Sequence, residues 1–274
     1  MILIADSGST KTDWRIIENK TVVGQYSTIG LNPFFVDSKT VALCLQNFDH
    51  KEEVKSVFFY GAGCVNDEKR DIIRYGIASV FINAEVFIDD DLTGAACAMF
   101  KNEKGVIAIL GTGMSIAFYN GKVLTDRGVS LGYILGDEGS GTCLGKELLR
   151  TYLYGEMPKE IEKAFDIKYK TNKDEILNSV YKQLFPNKYI ADYSKFLNEH
   201  INNKFIEKIV LRCFNKFFEQ HVLKIKDSKL YPVRLIGSIA FNFEKQLKKV
   251  AKEHMINIDL IIQSPIEELQ EFHM

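Results

Sequence analysis

The sequence predicts a mixed α/β fold built from two similar halves. Near the N-terminus, an apolar strand at residues 2–5 runs into a loop rich in glycine and hydroxyl side chains, and a strand hairpin follows. The same order of strand, loop and hairpin returns at residues 106–125, where Asn120-Gly121 is a strong hairpin turn. Short apolar runs alternate with a helix-compatible stretch between the two repeats, which is typical of a mixed sheet. These observations indicate a duplicated architecture.

Most elements can be placed from hydrophobic periodicity. Asn19-Lys20 forms the predicted turn of the first hairpin, and residues 145–225 change to a helical period. Cys213 lies on the apolar stripe of that helical region, so we expect it to be structural. The remaining predicted strands lie at residues 13–17, 21–26, 57–60, 86–88, 106–110, 116–119, 122–125, 235–236 and 258–262, and the remaining helices at 68–80 and 240–253.

Composition limits the classes of function. The chain has 274 residues, of which 46% are hydrophobic and 26% are charged, enough for a large core. Its 35 basic and 36 acidic residues leave a net charge of -1, so we expect neither nucleic acid nor an anionic membrane as a partner. The five cysteines show no C-x-x-C spacing and no metal-type pairing with histidine, which predicts a reduced, cytoplasmic protein.

Four glycine-containing turns follow apolar runs or precede helices, and each alone could be an ordinary tight turn. Two common nucleotide motifs are absent. Glu147 follows Lys146 where a P-loop requires Ser or Thr, and Gly111-Thr-Gly113 lacks the third glycine of a dinucleotide fingerprint. A nucleotide would therefore need another scaffold.

Five motifs occur in order along the chain: Asp6-Ser-Gly8-Ser-Thr10-Lys, Asp91-Leu-Thr-Gly94-Ala95, Gly111-Thr112-Gly113, Gly132-Tyr-Ile-Leu-Gly136-Asp137-Glu138-Gly139-Ser140 and Gly237-Ser238. Together they resemble the motifs of the N-acetylglucosamine kinases. These kinases belong to the BadF/BadG/BcrA/BcrD-type ATPase group of the actin, hexokinase and Hsp70 superfold.

The resemblance implies a two-lobed actin-like ATPase with a duplicated ribonuclease H-like fold. The lobes are expected at residues 1–92 and 93–274, with a helical insertion at about 145–228 in the second lobe. That helical segment matches no motif of the family. The family also commonly has a glycine- and alanine-rich segment near its C-terminus, where this chain reads Ser264-Pro265-Ile-Glu267-Glu268. This departure leaves open whether the usual last helix and the usual adenosine contacts are present.

The resemblance also implies a nucleotide site. Two loops would hold the ATP phosphates across a cleft, and Asp6 would hold Mg²⁺, through water because that ion dehydrates reluctantly. Glycine would let the backbone approach adenosine. Lys11 could equally be a solvated side chain at a loop tip. The phosphate-binding residues would be Gly8, Ser9, Thr10, Lys11, Gly111, Thr112 and Gly113, and the adenosine-binding residues Gly237 and Ser238.

Asp91 matches the family's catalytic aspartate, which accepts the proton of the acceptor hydroxyl. Its neighbours Asp89 and Asp90 leave an alternative, since three adjacent carboxylates could also be an acidic strand end. We favour Asp91 because Gly94-Ala95 follows it at the matching offset. Clustered like charges would raise one pKa without identifying the base.

The expected sugar-binding residues are Asn32, Asp91, Gly132 and Asp137. Two of them have structural alternatives. Asn32 could be only a turn residue before Pro33. Asp137 could instead cap a helix that begins near Thr142.

The resemblance thus implies a homodimeric, ATP-dependent kinase that phosphorylates a hydroxyl of an N-acetylated amino sugar, and we expect that hydroxyl to be the one on carbon 6. The residues do not choose between N-acetylglucosamine, N-acetylmannosamine, N-acetylmuramic acid and glucosamine. One alternative is an activator ATPase of radical dehydratases, which needs exposed cysteines to hold an iron-sulfur cluster; Cys64 and Cys143 are the candidates near loops. Another is a nucleotide or sugar sensor without turnover.

Overall fold

The structure is a computed structural model that describes all 274 residues. The chain divides into two compact units, each with its own five-stranded sheet, as the predicted duplication requires. The predicted lobe boundary at residues 92 and 93 falls inside a helix of the first unit. The first unit comprises Met1–Glu103, Tyr119–Leu124 and Ser264–Met274, and the second comprises Lys104–Phe118 and Thr125–Gln263.

The first sheet has the strand order β3-β2-β1-β4-β5. Strand β1 pairs antiparallel with β2 and parallel with β4, so it lies at the centre of the sheet. The N-terminal hairpin turns at Asn19 and Lys20, both of which have positive φ. The strands are β1 Ile2–Ser7, β2 Lys11–Glu18, β3 Thr21–Ile29, β4 Ser56–Gly61 and β5 Glu85–Asp90.

The core of the first unit forms around Trp14, Phe59 and Phe81, which are fully buried. A C-terminal helix is present, which answers the question that the sequence left open. Its residues Ile266 and Leu269 are buried beside β1 and the third helix, because the two apolar side chains recur on one face. The helices of this unit are α1 Ser38–Leu45, α2 Asp67–Ala78, α3 Asp91–Phe100 and α13 Ile266–Phe272.

The second sheet has the order β10-β9-β6-β7-β8, with β9 parallel to both β6 and β10. The strand predicted at residues 122–125 is shorter than expected. The side chain of Asn120 accepts hydrogen bonds from the backbone N–H groups of Lys122 and Val123 at 3.0 Å each, which extends the turn. The strands are β6 Gly105–Leu110, β7 Met114–Tyr119, β8 Leu124–Thr125, β9 Val233–Ile236 and β10 Ile258–Ile262.

The helical insertion of the second unit packs around α10, whose predicted apolar stripe is buried. Cys213 and Phe214 on this stripe are fully inaccessible, which confirms the structural role predicted for the cysteine. No helix of the structure is both long enough and apolar enough to span a bilayer. The helices are α4 Gly132–Leu135, α5 Gly141–Leu153, α6 Lys159–Tyr169, α7 Lys173–Tyr181, α8 Pro186–Asp192, α9 Ser194–Glu199, α10 Lys204–Gln220, α11 Ser238–Asn242 and α12 Glu244–Glu253, with a 3-10 turn at Val222–Lys224.

Helix α5 begins beside the Gly111 loop, and its position is fixed by close contact with α8. A Cβ atom at Gly145 would lie 1.9 Å from the carbonyl oxygen of Ile190, so only glycine permits this approach of the two backbones. Ile190 is itself buried in the core of the second unit. The contact therefore joins α8 of the helical insertion to α5, the helix that directly follows the Gly136–Ser140 motif.

We predict that Gly145→Ala destabilises the protein by about 1–3 kcal/mol, because the added methyl group forces α5 and α8 apart. The measurement is the midpoint of urea denaturation, followed by circular dichroism. Lys163→Ala, at an exposed position of α6, is the matched control and should leave the midpoint nearly unchanged. An unchanged midpoint for Gly145→Ala would contradict the proposed close contact.

Candidate active site

The Asp6 loop joins β1 to β2 and is stabilised by the hydroxyl groups of the residues at its two ends. Within the loop, the Gly8 N–H donates to the Lys11 carbonyl at 3.0 Å. The hydroxyls of Ser7 and Thr12 lie 2.7 Å apart, and both accept from the Leu31 N–H, at 3.1 and 3.2 Å. These two buried hydroxyls are hydrogen-bonded within the protein, whereas Ser9 and Thr10 are exposed at the tip of the loop.

Gly30 supports the same loop and was not among the predicted site residues. A Cβ atom at Gly30 would lie 2.4 Å from the Gly8 carbonyl oxygen and 2.6 Å from the Thr10 nitrogen. The chain after β3 therefore passes directly against the loop, which only glycine allows. The signal in the sequence was the glycine two residues before Asn32, but a contact over this distance cannot be read from one sequence.

Asn32 is largely buried, at 8% exposure, and contacts the Asp6 loop. Its amide nitrogen lies 3.4 Å from Ser9 Oγ, and its Oδ1 accepts from the Phe34 N–H at 3.0 Å. The contact with Phe34 forms a turn, which is the structural role that the sequence offered as the alternative for Asn32. Both descriptions therefore apply, and the structure places one predicted sugar-binding residue beside one predicted phosphate-binding residue.

The three consecutive aspartates at the end of β5 have different surroundings. Asp89 lies 3.2 Å from an Arg70 guanidinium nitrogen and also accepts from the Asp90 N–H at 2.8 Å. Asp90 is the N-cap of α3 and accepts from the Thr93 N–H at 2.9 Å. Asp91 is the first residue of α3 and is half-buried. The first two carboxylates thus pair with Arg70 and cap α3, whereas Asp91 lies within the first turn of α3.

The start of α3 is fixed against β4 by Gly94. A Cβ atom at this position would lie 2.6 Å from the Cβ and Cγ atoms of Tyr60. The Tyr60 hydroxyl is in turn 3.0 Å from Nε2 of His273, at the end of α13. Gly94, which was singled out only because of its offset from Asp91, therefore has a packing role that holds Asp91 in place.

Asp6 and Asp91 interact electrostatically within the first unit. Burial raises the pKa of Asp6 to about 7, and the negative charges of Asp91 and Asp13 add to the effect. The Ser264 hydroxyl, which donates to Asp6 at 3.4 Å, and the cationic Lys11 oppose it. Lys11 itself pairs with Asp13 at 2.7 Å, and its side chain is 60% exposed.

In the second unit, the Gly111 loop is anchored by the first turn of α5. The carbonyl oxygens of Gly111 and Thr112 accept from the N–H groups of Gly141 and Thr142, at 2.8 and 3.1 Å. A Cβ atom at Gly111 would meet nothing within 4 Å. The loop is therefore tied down on its helix side and open on the other, which leaves room for a ligand to approach the backbone.

Asp137 is 7% exposed and has a positive φ of 61°. It does not cap the following helix, so that alternative is wrong: Ser140 is the N-cap of α5 and accepts from the Cys143 N–H at 3.3 Å. The Asp137 carboxylate lies against Gly113, where a Cβ atom would be 3.0 Å from Oδ2. Burial raises the pKa of Asp137, and a hydrogen bond from the Met114 backbone opposes the rise.

The residues after Asp137 attach the motif to α10 by two contacts that the sequence analysis missed. Glu138 lies 2.8 Å from Nε2 of His221, which is buried. Gly139 has a φ of 79°, and a Cβ atom there would lie 2.7 Å from Cβ of Phe217. Both partners come from a region without a recognisable motif, so no local signal could have identified them.

The proposed adenosine turn lies next to the Gly111 loop. Gly237 has a φ of 116°, and a Cβ atom there would lie 2.4 Å from the Leu110 carbonyl oxygen. Ser238 follows it and is exposed. Gly132, at the start of α4, is also exposed, and a Cβ atom there would meet nothing within 4 Å. The Gly132 carbonyl oxygen accepts from the Gly136 N–H at 2.9 Å, one residue before Asp137.

The oxygen donors near Asp6 suit a hard cation that is coordinated mainly by phosphates and water. No group of three or more His, Cys, Asp or Glu side chains is arranged to hold a metal ion. The half-buried carboxylate of Asp6, next to other carboxylates, offers the oxygen donors that Mg²⁺ prefers, and few protein ligands are needed when phosphates and water supply the rest. Cys64 and Cys143 are both buried, so neither offers the exposed thiol that an activator ATPase requires.

Known proteins resemble this chain in sequence and in structure. No protein-family model matches the chain. A curated N-acetylmuramic acid/N-acetylglucosamine kinase of Clostridium acetobutylicum is 27% identical over 169 residues, which cover 59% of this chain. The match spans only 55% of that kinase.

Solved structures extend the comparison to the whole chain. A Porphyromonas gingivalis protein provisionally assigned as an N-acetylglucosamine kinase superposes with a TM-score of 0.94 at 34% identity, over 100% of this chain and 98% of that one. A ROK family glucokinase of Streptomyces griseus, solved with glucose and AMPPNP, covers 99% of this chain and 97% of its own at a TM-score of 0.58 and 12% identity, so it shows the fold alone. With 34% identity along nearly the full length of the P. gingivalis protein, and with all five motifs in order, this chain belongs to the N-acetylglucosamine kinase family.

Proposed function

We propose that this protein transfers the γ-phosphoryl group of ATP to the 6-hydroxyl of an N-acetylated amino sugar. The observation that carries the proposal is the position of Asp91. Asp91 is the half-buried first residue of α3, and its negative charge is close enough to Asp6 to raise the pKa of that carboxyl. The name of the C. acetobutylicum relative supports an N-acetylated amino sugar as the acceptor.

The acceptor hydroxyl loses its proton to the Asp91 carboxylate as the oxygen bonds to the γ-phosphorus and the bond to ADP breaks. Gly94 holds this carboxylate in place through its contact with Tyr60, so the base is positioned before the substrate binds. Asn32, Gly132 and Asp137 would bind the sugar hydroxyls. Asn32 also contacts Ser9, which would couple sugar binding to the phosphate loop.

The phosphates would be held by backbone N–H groups and hydroxyls of the Asp6 loop and the Gly111 loop. The residues are Gly8, Ser9, Thr10 and Lys11 of the Asp6 loop and Gly111, Thr112 and Gly113 of the Gly111 loop; Gly237 and Ser238 would hold adenosine. Asp6 would hold Mg²⁺, which would neutralise charge on the phosphates. The proposed assembly is a homodimer, as the family resemblance implies.

We predict that Asp91→Asn abolishes sugar-dependent turnover. ADP release with Mg-ATP would be measured against N-acetylglucosamine, N-acetylmannosamine, N-acetylmuramic acid and glucosamine. The wild type should respond to an N-acetylated sugar, and the variant should lower kcat by a factor of about 10²–10⁴, the usual contribution of a general base.

Asp89→Asn is the matched control for this experiment. It removes the neighbouring carboxylate, which pairs with Arg70, and should leave kcat within about a factor of ten, as expected for a partly exposed ion pair. ATP hydrolysis that ignores every sugar, or that is equal in wild type and Asp91→Asn, would contradict the kinase proposal. ATP binding without any turnover would instead favour a sensor.

We also predict a pH-dependent effect of Asp6→Asn on stability. The pKa of Asp6 rises from 3.8 to about 7 on folding, so between these values the folded state keeps a proton that the unfolded state releases. The wild type therefore loses stability as the pH rises through this window, whereas the variant, which cannot titrate there, does not. The thermal midpoint of Asp6→Asn relative to wild type should rise between these pH values and then level off.

The midpoints would be measured without divalent cations, with Asp174→Asn, an exposed residue of α7, as the control. A difference between Asp6→Asn and wild type that stays constant with pH would contradict the raised pKa. Adding MgCl₂ at pH 8 should stabilise the wild type more than Asp6→Asn, because the bound cation compensates the charge of Asp6.

A further inference from the structure

The second unit contains a cavity of about 460 Å³ that the proposed reaction does not use. It lies among α4, α5 and α7, on the side of α5 that carries Lys146 and Arg150. Most of its walls are apolar, and its volume falls within the usual range of small-molecule sites. The apolar lining includes Ile134, Leu135, Leu149, Leu153, Leu177 and Val180.

The cavity exists because α7 does not close against α5. Helix α8 occupies the contact with α5 at Gly145, and α7 packs against α8. Ile176 of α7 reaches the core, but Leu177 remains half-buried and Tyr181 is 78% exposed. Apolar side chains on α7 are thus left facing an open volume instead of a protein surface.

The charged groups of this cavity include more cations than carboxylates. Lys146, Arg150 and Lys216 line it together with Glu138 and Glu147. Glu138 faces His221. Glu147 is shared by three cations: Arg150 and Lys216, whose nitrogens are each 3.7 Å away, and Arg212, which donates a hydrogen bond to it.

The single negative charge of Glu147 cannot neutralise three cations, and Arg150 and Lys216 lie 3.7 Å from it, so an anion at this position would gain charge-assisted contacts with these two side chains. The positive excess lies beside apolar walls. The combination suits a molecule with an apolar body and one negative charge, and it does not suit a neutral sugar.

The cavity adjoins the loop that carries Asp137. Its wall includes Gly136, and α4 leads directly into this loop. The Lys146 ammonium group donates to the Tyr133 carbonyl oxygen and so joins α5 to α4. A ligand bound between α4 and α7 would therefore restrict the segment immediately before Asp137.

We propose that this cavity is a second ligand site, which takes a small amphipathic anion with an apolar or aromatic body and orders the α4 segment before Asp137. The site lies wholly within the second unit and does not depend on the proposed kinase reaction. A binding measurement can therefore test it even if the protein has no turnover.

The probe is 8-anilinonaphthalene-1-sulfonate, titrated into the intact protein and followed by its fluorescence. We expect one saturable site per chain. The uncharged analogue N-phenyl-1-naphthylamine should bind about tenfold or more weakly, because it lacks the anionic group. Equal affinities of the two probes would overturn the anion assignment.

Two variants locate the site. Leu177→Trp fills the cavity from α7 and should remove saturable binding. Leu230→Trp places the same indole at another exposed position of the second unit and should bind the probe as the wild type does. Probe binding that survives in Leu177→Trp would overturn the proposal. A change from dimer to monomer in that variant, measured by light scattering, would also overturn it, because it would identify this surface as an interface between two copies of the chain.

A further variant tests the cations and a second readout tests the ordering. Arg150→Gln combined with Lys216→Gln should weaken sulfonate binding about tenfold and leave the affinity for the neutral analogue unchanged.

Probe binding should slow amide hydrogen exchange at residues 129–138 in the wild type and not in Leu177→Trp. Unchanged exchange at this segment would overturn the proposed ordering of α4.

Discussion

The burial of the Asp6 carboxylate beside the negative charge of Asp91 is the constraint on which the candidate site depends. Asp6 lies near the end of the central strand of the first sheet, and Asp91 begins the helix that follows its edge strand. Burial, and then the charge of Asp91, raise the pKa of Asp6, so the folded protein carries an electrostatic cost at this position. A cation held by Asp6, as proposed, would relieve that cost, and an arrangement that is unfavourable for stability would then suit a phosphoryl-transfer site.

Close backbone contacts keep this arrangement rigid. Gly30 lies against the Asp6 loop, Gly94 lets α3 approach Tyr60, and Gly237 brings its turn to the end of β6. At each position a Cβ atom would come within 3 Å of another residue. These three glycines are therefore packing residues, whereas a Cβ atom at Gly111 would meet nothing within 4 Å.

The sequence predicted the parts of the structure that have local signals. Strand periodicity and hairpin turns identified both repeats, and the family motifs identified the glycine loops. Contacts between distant segments had no such signal: His221 and Phe217 support the Gly136–Ser140 motif from α10, which has no motif of its own. The last helix was left open because the C-terminus departs from the family's glycine- and alanine-rich segment, and its two buried residues, Ile266 and Leu269, make too short a pattern to decide the question.

The proposed reaction moves the γ-phosphoryl group of ATP to a sugar hydroxyl rather than to water. The most direct measurement is ³¹P NMR of a reaction that contains the protein, Mg-ATP and N-acetylglucosamine. We expect a phosphomonoester resonance that appears together with ADP and is coupled to the protons on carbon 6 of the sugar. Formation of ADP and inorganic phosphate alone, with no sugar phosphate, would contradict it.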